Sequence, residues 1–266
     1  LGTHVPMTAR ELDTMYPGVD HSLFVDHDWR NDVVTLGTVP ASFVEHVSEG
    51  RLSYPWKAQV NKLLVEGGFD LILSLGQVVP HEVIGMANHT KNIYVGTGGS
   101  EGINKSHFLG AVYGMERIMG RADSPVRAIL DHAHANFASH LPIVFGLTVV
   151  GRNRDAKMVP MGLFLGDDRA CFDEACELSL PANFTMVARP LDKVVVYLDP
   201  DEFRTTWLGN KSIYRTRMAI ADGGELIVLA PGVHAFGEDK EIDRLIRSYG
   251  YRGTEHVLES VEAHDE

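Results

Sequence analysis

The sequence predicts an α/β protein of two domains, with mainly parallel sheets flanked by helices. Two observations predict it. Short apolar runs closed by glycine, such as Phe69 to Leu75, alternate with longer segments of helical periodicity. The alternation restarts as a small strand–helix–strand–helix series from about residue 176, which divides the 266 residues into a larger domain, 1–175, and a smaller one, 176–266. The chain opens on Leu1, and Gly2-Thr3-His4 reads as the end of a buried strand. A segment N-terminal to Leu1 is therefore expected as part of the larger domain.

The elements follow in chain order. Thr8 and Glu11 form a capping box, so a helix begins after Thr8 and stops near Pro17-Gly18. Residues 52–67 read as an amphipathic helix ended by Gly67-Gly68. Phe69 to Leu75 fits a buried parallel strand, followed by a loop carrying Pro80-His81. Asn92 to Val95 is a further strand, then a glycine-rich loop, then a helix over 104–119 closed by Gly120. Ser124-Pro125 caps another helix. Residues 142–150 and 157–165 read as strands, and Gly166-Asp167-Asp168 opens a helix. In the second domain, strands 193–198 and 225–230 alternate with helices 213–221 and 240–249, and the acidic tail 259–266 is frayed.

Charge and composition exclude several functions. The net charge of −12 argues against nucleic acid or an anionic membrane, which need a basic face. No apolar run approaches the roughly 20 residues of a membrane span. Cys171 and Cys176 lie five apart. On a helix that spacing separates them by about 140°, which reads as two buried thiols in a reducing cytoplasm.

Candidate chemistry concentrates in a few of the 13 histidines. His81 lies just past an apolar strand, where open α/β sheets bind ligands; it is either a general base or a loop residue bonded to backbone. His107 falls in the first turn of its helix, where the dipole disfavours imidazolium and so favours the metal-ligating neutral ring. Taken alone, it reads rather as an ordinary, partly exposed helix-terminal histidine. His4 occupies the same kind of place as His81, and two such bases across one cleft are what racemisation at carbon needs. Lys91 is a nucleophile or covalent anchor, or else a solvated lysine. The Asp131-His132-Ala133-His134 segment, with His140, imitates a metal motif. On a helix its first two rings point about 200° apart, so it reads as solvated helix surface. Gly96-Thr97-Gly98-Gly99-Ser100 is either a phosphate nest or a flexible loop placing His107.

The spacing of these residues resembles the nickel-dependent lactate racemase family, whose cofactor is a nickel-pincer nucleotide. Gly2-Thr3-His4 precedes a helix, as in that family. Gly76 to His81 matches its G-x-x-x-P-H segment; Gly85, Lys91, Gly96 and His107 follow at the family's intervals, with Lys91 ten residues after His81 and His107 sixteen after Lys91. Weaker likeness covers Asp123 to Arg127, Gly166-Asp167, Trp207, Lys211 and Gly223 to Ala230. The chain departs at 87–91, where the family's Ser-Gly-Gly-Arg-Lys is Ala87-Asn88-His89-Thr90-Lys91.

The resemblance implies a racemase or epimerase of 2-hydroxy acids, lactate or a larger sugar acid, working by hydride transfer. Lys91 would carry the cofactor covalently, His107 would ligate nickel, and His4 and His81 would exchange the hydroxyl proton. Lys211 and Trp207 would contact cofactor or substrate. Cofactor-assembly proteins are implied as partners, and a chain purified without them is expected as apoprotein. The competing readings are a zinc hydrolase built on His81, His107 and a carboxylate, and an inactive remnant that binds a ligand.

Overall fold

The computed structural model describes residues 6–264, so His4 lies outside the described residues. The chain divides into two compact units, 1–186 and 187–266.

In the first unit the Thr8 capping box forms as expected and opens α1 (Ala9–Met15). Next come β1 (Val33–Val39) and α2 (Ala41–Val47). The helix expected over 52–67 is instead β2 (Trp56–Asn61), antiparallel to β1, followed by the single turn α3 (Leu63–Glu66). Period two wins over period 3.6 here. Trp56, Ala58 and Val60 all bury one face, and Pro55 precedes them.

β3 (Ile72–Gln77) is followed by a hairpin of two very short strands, β4 (Pro80–His81) and β5 (Gly85–Met86). The strand expected at Asn92 to Val95 is a π-helical turn, Asn92–Gly96. It is closed by Thr97 N–H donating to the Asn92 carbonyl at 2.9 Å, with Ile93, Tyr94 and Val95 buried. The long helix breaks at Gly114, whose φ is 110°, into α4 (Ser100–Tyr113) and α5 (Met115–Ile118). Ser124 caps α6 (Pro125–Ala133), which runs into a second π-helical turn, His134–Ala138. β6 (Ile143–Arg152), β7 (Met158–Gly166) and α7 (Arg169–Asn183) complete the unit.

β3 lies parallel to the central β6, and β7 antiparallel to it. α7 packs on β6 and β7 and buries Cys171, Phe172, Ala175 and Cys176. The expected boundary at residue 175 therefore falls inside a helix whose apolar face belongs to this sheet. Both cysteines are free and buried, as their spacing implied.

The other face of the sheet is open. Leu73, Leu75, Leu163 and Leu165 are each more than half exposed, with Leu75 and Leu165 meeting over Gly146. Burial of β3 on both faces is therefore not observed: only its alternate residues face the α7 side, where Ser74 is buried.

The second unit holds β8 (Leu191–Tyr197), α8 (Thr206–Gly209), α9 (Lys211–Thr216), β9 (Ile220–Leu229), α10 (Lys240–Tyr249) and α11 (Thr254–Ala263), with β8 parallel to β9. α10 has the predicted bounds. The helix expected over 213–221 gives way early to β9, and much of the tail expected to fray is α11.

The fold is mixed α/β, and the expectation of mainly parallel sheets is corrected. Of the strand pairs among the described residues, β3–β6 and β8–β9 are parallel, whereas β1–β2, β4–β5 and β6–β7 are antiparallel. For β4–β5 and β6–β7 short connections cause this, because three residues after β4 and five after β6 allow only a hairpin return.

Phe145 is fully buried on β6. Phe145→Ala is expected to cost about 3–5 kcal/mol in urea denaturation, and Leu163→Ala no more than about 0.5 kcal/mol. An equal loss at Leu163 would mean that the outer sheet face is covered in solution.

Candidate functional site

The site is built where the β4–β5 hairpin and the turn before the first π-helix meet α4. Gly110 lets the hairpin approach α4, since a Cβ there would run into the Val83 side chain and backbone. Val83 thereby rests one helical turn beyond His107. The hairpin also fixes the His81 ring, whose Nδ1 accepts the Val83 amide at 3.1 Å. In the neutral ring the proton is then on Nε2.

His107, expected in the first turn, instead lies in the middle of α4, which begins at Ser100, and its ring is fixed in the opposite sense. Its Nδ1–H donates to the Ile103 carbonyl at 2.7 Å, which leaves Nε2 as the lone-pair nitrogen. Part of the ring stays accessible, yet its surroundings hold its pKa below the usual imidazole range. Burial is the main cause. The Ile103 hydrogen bond opposes it, the Lys91 ammonium lowers the pKa further, and the Glu82 carboxylate raises it. Lys91, Glu82 and His107 thus share one electrostatic environment, next to the hairpin that carries His81. Sequence reasoning passed over Glu82; its only signal was its place immediately after His81.

Lys91 ends a turn of unusual backbone. Asn88 and His89, consecutive non-glycine residues, have φ of 74° and 56°. Left-handed backbone costs such residues roughly 1–2 kcal/mol each. These two residues fall in the 87–91 run where the sequence departs from the family it resembles. Their side chains hold the turn. Asn88 Oδ1 accepts from the His89 amide at 2.8 Å and from Asn92 Nδ2 at 2.7 Å. Gly76 makes room for the Asn88 amide group, which a Cβ would strike. The buried His89 ring lies against Phe145 and Phe172, and its Nε2–H donates to the Asp168 carbonyl at 3.1 Å. Burial, aided by the Arg127 charge, lowers the pKa of His89 to about 3.

Other expectations resolve around this centre. The glycine-rich loop is a packing device: a Cβ at Gly98 would collide with the Tyr94 carbonyl, and one at Gly99 with Gln59. The Gly98 carbonyl accepts from His27 Nε2 at 2.9 Å. His132 and His134 are not solvated surface. His132 packs on Phe43 with ring centroids 4.2 Å apart, and His134 lies beside Tyr94 and Phe145. His140 is exposed. Lys211 and Trp207 belong to the second unit; Lys211 is half-buried and Trp207 exposed. A zinc hydrolase needs about three protein donors. Among the described residues no three His, Cys, Asp or Glu side chains converge to hold a metal.

No family model and no curated protein sequence matches the chain. Solved structures do. A crystal structure of a protein from Thermotoga maritima matches with a TM-score of 0.88 and 26% identity, over 100% of this chain and 65% of its own. The lactate racemase apoprotein from Thermoanaerobacterium thermosaccharolyticum matches with a TM-score of 0.68 and 21% identity, over 99% of this chain and 58% of its own. The fold is lactate racemase-like. The chain spans less than two thirds of the length of either structure. No helix among the described residues is long and apolar enough to cross a membrane.

The lowered pKa of His89 links stability to pH. As pH falls, the unfolded chain takes up this proton near pH 6.5, well before the folded chain does at about 3. Stability present above about pH 6.5 is therefore lost toward about pH 3, at about 1.4 kcal/mol per pH unit. His89→Gln should flatten the acid limb of a stability–pH curve by about that slope; an unchanged limb would mean the ring is not held neutral.

Proposed function

We propose that the protein is a 2-hydroxy-acid racemase or epimerase that works with a nickel-pincer nucleotide on Lys91. What supports this reading is that Lys91 and His107, singled out by spacing alone, share one electrostatic environment beside the His81 hairpin on a lactate racemase-like fold. The residues present fit the group. Lys91 offers an amine for covalent attachment, and His107 offers Nε2 with its other nitrogen already engaged. Burial keeps that ring in the neutral, ligating form. When bound, the group supplies an acceptor that takes a hydride from the substrate's α-carbon and returns it to either face.

The chain's own task is then to move the hydroxyl proton. With Nδ1 held by the Val83 amide, His81 keeps its proton at Nε2. In that tautomer its Nε2–H can hydrogen-bond the substrate's 2-oxygen; proton transfer there requires the ring to release the Val83 amide and pass through its imidazolium form, since a neutral ring that gave up Nε2–H would be left as an imidazolate. To take a proton at Nε2 instead, the ring must first lose the one it holds there. A second base on the other face of the substrate would serve the opposite enantiomer, and the sequence resemblance gives that role to His4. Lys211 and Trp207 enter this reading through the sequence resemblance, as a cation for carboxylate or phosphate and its aromatic neighbour. The substrate class extends from lactate to larger sugar acids.

Intact-mass and metal analysis of protein made together with cofactor-assembly proteins tests the reading. A covalent adduct on the Lys91 peptide and stoichiometric nickel are expected. His107→Ala should keep the adduct and lose nickel. His81→Gln should keep both and lower kcat by about 10²- to 10⁴-fold. An unmodified Lys91 under these conditions overturns the proposal.

A further inference from the structure

The side chain beneath the Lys91 turn is Arg127, on α6 and fully enclosed. Among the described residues its guanidinium makes no hydrogen bond to a carboxylate. Nη2 donates to the Met86 carbonyl at 2.7 Å and to the Asn88 carbonyl at 3.1 Å, and Nη1 donates to Thr90 Oγ1 at 2.7 Å. These acceptors are alternate residues of the segment that leads into Lys91. The Asn88 carbonyl also accepts the Lys91 amide at 3.3 Å, so Arg127 and the Lys91 backbone share one oxygen.

The counter-charge arrives through a relay. Thr90 Oγ1 donates to Asp131 Oδ1 at 2.6 Å, and Asp131 Oδ2 accepts from Arg169 at 2.7 Å. Phe172 lies under both guanidinium groups, 4.3 Å from that of Arg127 and 5.3 Å from that of Arg169. Burial lowers the Arg127 pKa only to about 10, so it remains a cation at neutral pH.

A buried charge is a poor device for stability alone, because an apolar residue of similar volume often serves as well or better. It is a good device for choosing one backbone conformation, since the forked Nη1 and Nη2 donors bond this segment in a fixed geometry, even with Nε unpartnered. The backbone it meets here is the one that needs holding, with two successive non-glycine residues in the left-handed region.

We propose that Arg127 is the positioning residue for Lys91: through Thr90 and the carbonyls of Met86 and Asn88 it holds the left-handed turn that aims the lysine at its cofactor. The inference rests on Lys91 being the modified residue. Its local part, the clamping of the turn, stands on the hydrogen bonds alone.

The discriminating pair is Thr90→Val and Thr90→Ser in the full chain. Valine keeps the volume and removes both the acceptor for Arg127 and the donor to Asp131; serine keeps them. Amide hydrogen exchange at Lys91 and Asn92 is read against exchange in β6, and the fraction of Lys91 carrying the adduct is measured by mass after co-production with assembly proteins. Thr90→Val should speed exchange at Lys91 and Asn92 by at least about tenfold, as expected for loss of a hydrogen bond to a charged group. β6 should stay unchanged and adduct loading should fall by a similar factor. Thr90→Ser should match the parent, and Arg127→Lys, which keeps the charge without the fork, should fall between.

Equal loosening of β6 in Thr90→Val would reduce Arg127 to general core support and overturn the proposal. So would unchanged exchange and loading in that variant, or full loading in a folded Arg127→Met. If the parent itself never loads, the functional reading fails, while the exchange comparison still decides whether Arg127 clamps the turn.

Discussion

A guanidinium sealed from water organises the first unit. Arg127 needs hydrogen-bond partners for its charge, since an uncompensated buried charge costs roughly 3–5 kcal/mol. The structure meets Nη1 and Nη2 with a hydroxyl and two carbonyls from the Met86–Thr90 segment, while Nε finds no partner among the described residues. That demand ties α6 to the turn. Asp131 and Arg169 extend the tie to α7, and Phe172 packs against Arg127, Arg169 and His89 together. The sheet, two helices and the Lys91 turn converge on this one polar centre.

The candidate groups sit just outside that centre, where burial is partial and polarity can be used. His107 and His81 are both tethered through Nδ1, but with opposite sense. His107 donates to a carbonyl and presents a lone pair, whereas His81 accepts an amide and presents a proton. One ring thereby presents a lone pair and the other an N–H. The division needs no charged neighbour; backbone groups one helical turn or two residues away impose it.

Much of the local structure was legible in sequence because its signals are local. The Thr8–Glu11 box, the Ser124-Pro125 start and the Asp168 cap each lie within a few residues of the backbone groups they satisfy, and each forms. The segment 52–67 was misread because Trp56, Ala58 and Val60 are buried by partners distant in sequence. The turn after Lys91 was misread because Ile93-Tyr94-Val95 has β propensity, while the Thr97–Asn92 hydrogen bond and burial on every side favour a π-helical turn.

By itself the sequence singled out candidate residues, because the intervals of ten and sixteen between His81, Lys91 and His107 are those of the family it resembles. It also exposed the departure from Gly-Gly-Arg at 88–90. Only the tertiary structure decided what that departure means. A positive φ at Asn88 and His89, the Arg127 guanidinium beneath Thr90 and the Glu82 carboxylate near His107 arise from segments brought together across the fold. Backbone strain and buried charge are set by the surroundings a residue acquires on folding, and no local pattern encodes them.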